Sequence, residues 1–249
     1  MKNLFHTFFI ICILTSFFAC SETAVQQEIS TVEPYRMESG KMVDRFESAI
    51  LNMEKEDSLR TAHENEIVFT GSSSIRMWKG LDLDMLPLNA INRGFGGSTI
   101  PEMNYYAGRI VIPYKSPLIV FYCGENDISD GYSPKEVEAN FKKFDELVRQ
   151  YLPKTKILFL SMKPSLARWE LWPQFVEGNQ MIQKYIESKP HLHYFDTSKS
   201  MLTAEGTPDS TIFIEDGLHM NQIGYDRWTK ELKPVLLSIM GVSEETSSN

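Results

Sequence analysis

Cysteine is scarce in this chain, with three in 249 residues. Two of them, Cys12 and Cys20, fall in the first twenty positions, and only Cys123 lies in the body of the sequence, inside an apolar run. A disulfide framework is therefore excluded, and Cys123 reads as a small buried apolar residue. Positive charge is in deficit, with 25 Lys and Arg against 33 Asp and Glu, and no basic cluster stands out. That argues against nucleic acid as a partner. No Gly-x-Gly-x-x-Gly spacing occurs, so Gly94, Gly96 and Gly97 do not read as a dinucleotide loop. His191 and His193 alternate, but no third ligand accompanies them. A short strand with one exposed face explains the pair better than a metal site. No metal and no cofactor are expected.

The N-terminus has a distinct composition. Lys2 is followed by the mostly apolar stretch Leu4 to Leu14, and then by Phe17-Phe18-Ala19-Cys20. This reads as a secretory signal over 1–19, too short for the ~20 apolar residues of a membrane span. Its end resembles a bacterial lipobox, with Phe17 where leucine is usual, which implies cleavage before Cys20 and lipidation of its thiol. The alternative is cleavage by an ordinary signal peptidase and release. An exported protein is expected either way, held to a membrane by the lipid alone where Cys20 is modified. Residues 20–38 are polar and read as a tether. Residues 39–241 form one domain, large enough to bury a core unaided, and 242–249 are a polar tail.

Within the domain, Val43, Phe46, Ile50 and Met53 recur at helical spacing and predict a helix ending near Arg60. Strands are expected at 66–70, 88–92, 118–123, 157–161 and 192–195, with helices opening at Pro101 and Ser133-Pro134. A further helix is expected to end near Lys189, and the last over 221–240. Five alternations of strand and helix predict an α/β fold, a parallel sheet with helices on both faces. Ligands of such sheets sit beyond the carboxyl ends of the strands. Four marked segments fall there: Gly71-Ser72-Ser73-Ser74, Gly94-Phe95-Gly96-Gly97-Ser98, Gly124-Glu125-Asn126-Asp127 and Asp216-Gly217-Leu218-His219.

Their inventory suits acyl transfer, which needs a nucleophile, a base, an orienter for the base and donors for an oxyanion. A serine hydroxyl needs a base to take its proton, and His219 can act as one because imidazole titrates near neutrality. Asp216, three residues earlier, can fix the imidazole tautomer. Gly97 offers an unobstructed backbone N–H, Asn126 a side-chain amide and Ser73 its own N–H at a helix start. Trp78, Arg168, Trp169 and Trp172 are candidates for substrate contacts, since indoles at the reactive edge can stack on a sugar ring or line an acyl pocket. Against each stands a plainer reading: serines cap helices, Asn126-Asp127 suits a turn, and tryptophan is commonly core.

The four segments, in order, resemble the blocks of the SGNH hydrolases, also called GDSL-type esterases and lipases, over residues 66–240. The resemblance implies a flavodoxin-like three-layer α/β/α sandwich with a five-stranded parallel sheet. It implies Ser73 as nucleophile, Gly97 and Asn126 as further oxyanion donors, and Asp216 and His219 as the rest of a triad. Two positions depart from the pattern: Ser72 and Ser98 stand where aspartate is common. The activity implied is hydrolysis of a small-molecule or oligosaccharide ester through a seryl acyl-enzyme, with O-acetyl or short-chain esters on extracellular carbohydrate first. Lysophospholipid or other acyl esters come next. A binder of phosphate, flavin or glycan on the same sheet is the third reading, and it leaves the Asp216/His219 pair without a job.

Overall fold

The computed structural model describes residues 44–61, 63 and 65–243, so the signal, Cys20 and the tether lie outside the described residues. The five strands are β1 (Ile67–Gly71), β2 (Ala90–Gly94), β3 (Leu118–Tyr122), β4 (Lys156–Leu160) and β5 (Leu192–Phe195). All four pairings are parallel, in the order β2-β1-β3-β4-β5. The order reverses at β1, which pairs with β2 on one side and β3 on the other. That is the switch point beyond which doubly wound sheets bind ligands.

Period-2 alternation sorts the strand side chains between two layers. Ile119, Phe121, Ile157 and Phe159 point into one core, while Leu118, Val120, Tyr122, Leu158 and Leu160 point into the other. Burial on both faces explains why Leu118–Tyr122 is apolar throughout. The first core is covered by α1 (Glu47–Leu59), α4 (Ile100–Ile110), α6 (Pro134–Tyr151) and α7 (Trp172–Glu187). The second is covered by the short helices α2 (Ser73–Arg76) and α3 (Leu81–Asp84) and by α8 (Gln222–Met240). The last short helix, α5 (Glu125–Ser129), follows β3 at the carboxyl rim.

Local signals account for most boundaries. Thr99 with Glu102 and Ser133 with Glu136 form capping boxes, each followed by proline in the first turn. Val137, Phe141, Phe144 and Val148 form the buried stripe of α6. Asn221 caps α8 through Gly224 N, and Gly241 ends it in the left-handed region. β2 begins two residues later than the sequence predicts. Leu88 N donates to Met85 O (2.9 Å) in a turn, and Asn89 O accepts from Ile67 N (2.7 Å), so pairing proper starts at Ala90. The connection before it also holds α3, a single helical turn.

At the end of β1 the chain approaches β3 closely. Gly71 has φ +141°, and a Cβ there would sit 1.9 Å from Tyr122 O. Only glycine meets both conditions. Gly71→Ala is expected to cost at least about 3 kcal/mol, whereas Gly131→Ala, at φ +95° with open space around it, is expected to cost about 1–2 kcal/mol of strain alone. Urea denaturation of the two variants side by side checks this, and equal losses would remove the close approach as the cause.

Candidate active site

Three of the four marked segments converge at the switch point through backbone and side-chain hydrogen bonds. Ser72 N donates to Tyr122 O (3.0 Å) and Phe95 N to Gly71 O (2.9 Å), which hold the first turn between the ends of β2 and β3. Asn126 Nδ2 donates to Ser98 O (2.9 Å). The Asp127 carboxylate accepts from Ile100 N at 3.0 and 3.2 Å, at the first residue of α4. The Cys123 thiol donates to Ser98 O (3.2 Å), and burial pushes its pKa well up, so it stays a thiol.

The fourth segment arrives from the loop before α8. His219 Nε2 lies 2.8 Å from Ser73 Oγ, and His219 Nδ1 lies 2.6 Å from Asp216 Oδ2. The other carboxylate oxygen, Asp216 Oδ1, accepts from the backbone N–H of Leu218 and of His219, both at 2.9 Å. With Asp216 Oδ2 accepting from Nδ1–H, the imidazole presents Nε2 to the hydroxyl as an acceptor. Burial pushes the Asp216 carboxyl up, but the His219 ring and the two backbone donors outweigh it and hold it at about 2. The carboxylate is thus charged throughout the neutral range. The adjacent serines are placed elsewhere. Ser72 and Ser74 are both buried, and Ser74 O accepts from Tyr225 Oη (2.9 Å). Only the middle hydroxyl meets the imidazole.

Gly97 is exposed at φ +83°, with nothing within 4 Å of where a side chain would begin. The Asn126 amide is oriented at both ends. Its Oδ1 accepts from Arg168 Nη2 (2.9 Å), one Nδ2–H goes to Ser98 O, and a second N–H remains on the nitrogen. Arg168, a candidate for substrate contact, is therefore a partner of Asn126. Trp169, in the connection after β4, and Trp172, the first residue of α7, stack on each other at 6.0 Å and 15°, both half-buried. Trp78 is a correction. It is 2% exposed in the second core, against Phe69, Tyr225 and Trp228, and its indole N–H donates to Asp84 (2.7 Å). It lies just past the end of α2, where its backbone N–H donates to Ile75 O (3.0 Å). A cavity of about 650 Å³ lies on the β2 side, lined by Arg76, Trp78, Lys79 and Gly94 to Gly96 among others. None of Ser73, Asn126 and His219 lines it, so its size does not mark the chemistry. His191, read as part of an alternating pair, bonds Asp145 Oδ1 through Nε2 (2.9 Å).

One residue escaped the sequence reading altogether. Lys163 is 0% exposed, and its Nζ reaches Leu218 O (3.0 Å) and Glu125 Oε1 (3.4 Å). A lone lysine after a strand gives no sequence signal, because its default place is solvent.

Two aspartates of the marked segments differ in charge. Asp127 is fully buried, and burial pushes its carboxyl up to about 7 despite the Ile100 N–H that opposes it. Its folded pKa lies above the ~3.9 of an unfolded aspartate. Folded protein therefore binds the proton more tightly, and this contribution to stability is full below about pH 4 and lost as pH rises through 7. Asp127→Asn cannot ionise. Its melting temperature is expected to rise relative to wild type between pH 5 and pH 8, and parallel curves across that range would contradict the shift.

Residues 71–227 match the GDSL-like Lipase/Acylhydrolase family model. Among solved structures, a GDSL-like lipase from Bacteroides thetaiotaomicron aligns with a TM-score of 0.64 at 20% identity, covering 76% of this chain and 97% of the other. A carbohydrate esterase family 3 protein from Talaromyces cellulolyticus aligns at 0.58 and 18%, covering 72% and 99%. An acetylxylan esterase from Geobacillus stearothermophilus, a catalytic mutant, aligns at 0.56 and 15%, covering 74% and 97%. At these identities the likeness is one of fold. No curated protein matches the sequence.

Proposed function

The chain belongs to the GDSL-like lipase/acylhydrolase family, whose activity is ester hydrolysis, and from that premise we propose that it is a serine esterase working through Ser73, His219 and Asp216. The observation that carries the proposal is the unbroken run Asp216 Oδ2, His219 Nδ1, His219 Nε2, Ser73 Oγ, with contacts of 2.6 and 2.8 Å. His219 Nε2 takes the hydroxyl proton as Ser73 Oγ attacks the ester carbonyl. Asp216 stabilises the imidazolium that results. The oxyanion of the tetrahedral intermediate accepts from the backbone N–H groups of Ser73 and Gly97 and from the second Asn126 N–H. His219 then gives its proton to the leaving alkoxide, and an acyl ester on Ser73 remains. Water attacks that ester with His219 as base, the carboxylic acid leaves, and the proton returns to Ser73.

The proposed substrate class is O-acetyl or short-chain esters on extracellular carbohydrate. The stacked, half-buried Trp169 and Trp172 follow directly on Arg168, which is bonded to Asn126. A sugar ring fits such an aromatic face at its edge. Two of the structural neighbours are named as carbohydrate and acetylxylan esterases, which supports the same class. Export, with Cys20 lipidated, would place the enzyme where such polymers occur.

On a short-chain aryl ester, Ser73→Ala is expected to lower kcat by at least about 10³-fold and Asn126→Ala by about 10²–10³-fold. Equal rates for Ser73→Ala and wild type would end the proposal. Acid released from acetylated oligosaccharides, set against long-chain acyl esters and lysophospholipid, tests the substrate class. Faster turnover of the acyl-chain esters would transfer it to lipid.

A further inference from the structure

The proposed reaction leaves a buried cation without a part. Lys163 stands just past β4, and its whole side chain is inside the protein. Burying an ammonium is costly unless partners satisfy it. Burial pushes its pKa down, and the Glu125 carboxylate opposes that. Glu125 is itself 5% exposed, and its Oε1 accepts from both the backbone N–H (3.1 Å) and the Nζ (3.4 Å) of Lys163. The second partner is a backbone carbonyl, Leu218 O at 3.0 Å, which lies between Asp216 and His219 in sequence.

Two further bonds run from the same connection to the same rim. Ala167 N donates to Gly217 O (2.9 Å), and Arg168 Nη2 donates to Asn126 Oδ1 (2.9 Å). A Cβ at Gly217 would lie 3.1 Å from Leu166 Cβ, so this stretch of chain lies against the base loop. The loop that carries His219 is otherwise exposed at Asp216, whose side chain is 43% accessible. Lys163 reaches it from the protein side.

We propose that Lys163 is a positioning residue for ester hydrolysis: its Nζ, held by Glu125, fixes the Leu218 carbonyl and so sets the His219 ring against Ser73 Oγ. This rests on the reading of Ser73, His219 and Asp216 as the catalytic groups. It adds a requirement that neither the triad nor the oxyanion donors contain. Displacing a reacting group by about 1 Å can cost about 10²-fold in rate, so a small sag of the loop is enough.

The test separates position from stability. Lys163→Met strands the Glu125 charge, and it is expected to lower both the melting temperature and kcat. Lys163→Met with Glu125→Gln removes both charges. It is expected to recover most of the melting temperature while kcat stays about 10- to 100-fold down, with KM within about threefold. Glu125→Gln alone keeps the bond to Leu218 O, because a neutral amine still donates, and kcat is expected to stay within about threefold. A second readout needs no substrate: the downfield proton resonance of His219 Nδ1–H, bonded to Asp216 and identified by its loss in His219→Ala. It is expected to shift or broaden in the double variant and to persist in Glu125→Gln. A double variant with wild-type kcat and an unchanged His219 resonance would overturn the proposal. If Ser73→Ala were as active as wild type, the reading of the triad would fail, and the His219 resonance would still decide whether Lys163 places the ring.

Discussion

The rim depends on one closure, between Ser73 Oγ and His219 Nε2, across 146 positions of sequence. That hydrogen bond cannot be what brings its partners together. Closing a loop of this length costs about 4 kcal/mol before any constant is added, and a hydrogen bond contributes about 1 kcal/mol net. The closure is delivered by packing. Trp228 of α8 lies against both Trp78 and Tyr122, with ring centroids at 6.0 and 5.2 Å. Tyr225, one turn earlier, lies 5.2 Å from Trp78 and donates its hydroxyl to Ser74 O. The helix that follows His219 is thus seated on the residues that follow Ser73. Trp78, expected at the substrate, is instead part of the seat.

Sheet order supplies the second half of the arrangement. Because β1 lies between β2 and β3, the turns after all three strands open on the same edge. The turns bond to one another. Ser98 O alone takes the Asn126 amide and the Cys123 thiol, and Asp127 closes the start of α4. Asn126 is therefore not free to rotate: Arg168 holds its oxygen and Ser98 one of its hydrogens. A preorganised donor stabilises developing charge without having to reorient, and this amide is held from two sides.

Much of this was legible in the sequence. Buried parallel strands read as apolar runs, and Leu118–Tyr122 is found where that pattern put it; the half-exposed Leu192–Phe195 is also found at its expected place. Pro101 and Pro134 mark helix starts through their fixed φ, and glycines at strand ends mark tight turns. The four segments were visible because each breaks its local pattern with residue types that chemistry needs. Trp78 was misplaced because composition does not say toward which side a side chain points after a one-turn helix. The partner of Arg168 and the burial of Lys163 were invisible for a related reason. Both depend on how the connection after β4 crosses two other loops, and no local period encodes a crossing.

Spacing pairs Asp216 with His219, but it does not give the charge of either rim acid, Asp127 or Asp216. Their surroundings divide them. Asp216 is partly open to solvent and receives the His219 ring and two backbone donors, so its charge is kept down to about pH 2. Asp127 is sealed from water with the Ile100 N–H against it, and its carboxyl begins to take up a proton near neutrality. An imidazolium is stabilised only by a carboxylate that stays ionised while the proton passes. The acid that can serve His219 is the exposed one, whose charge is secured by donors, and the buried one serves as a cap where its charge is dispensable.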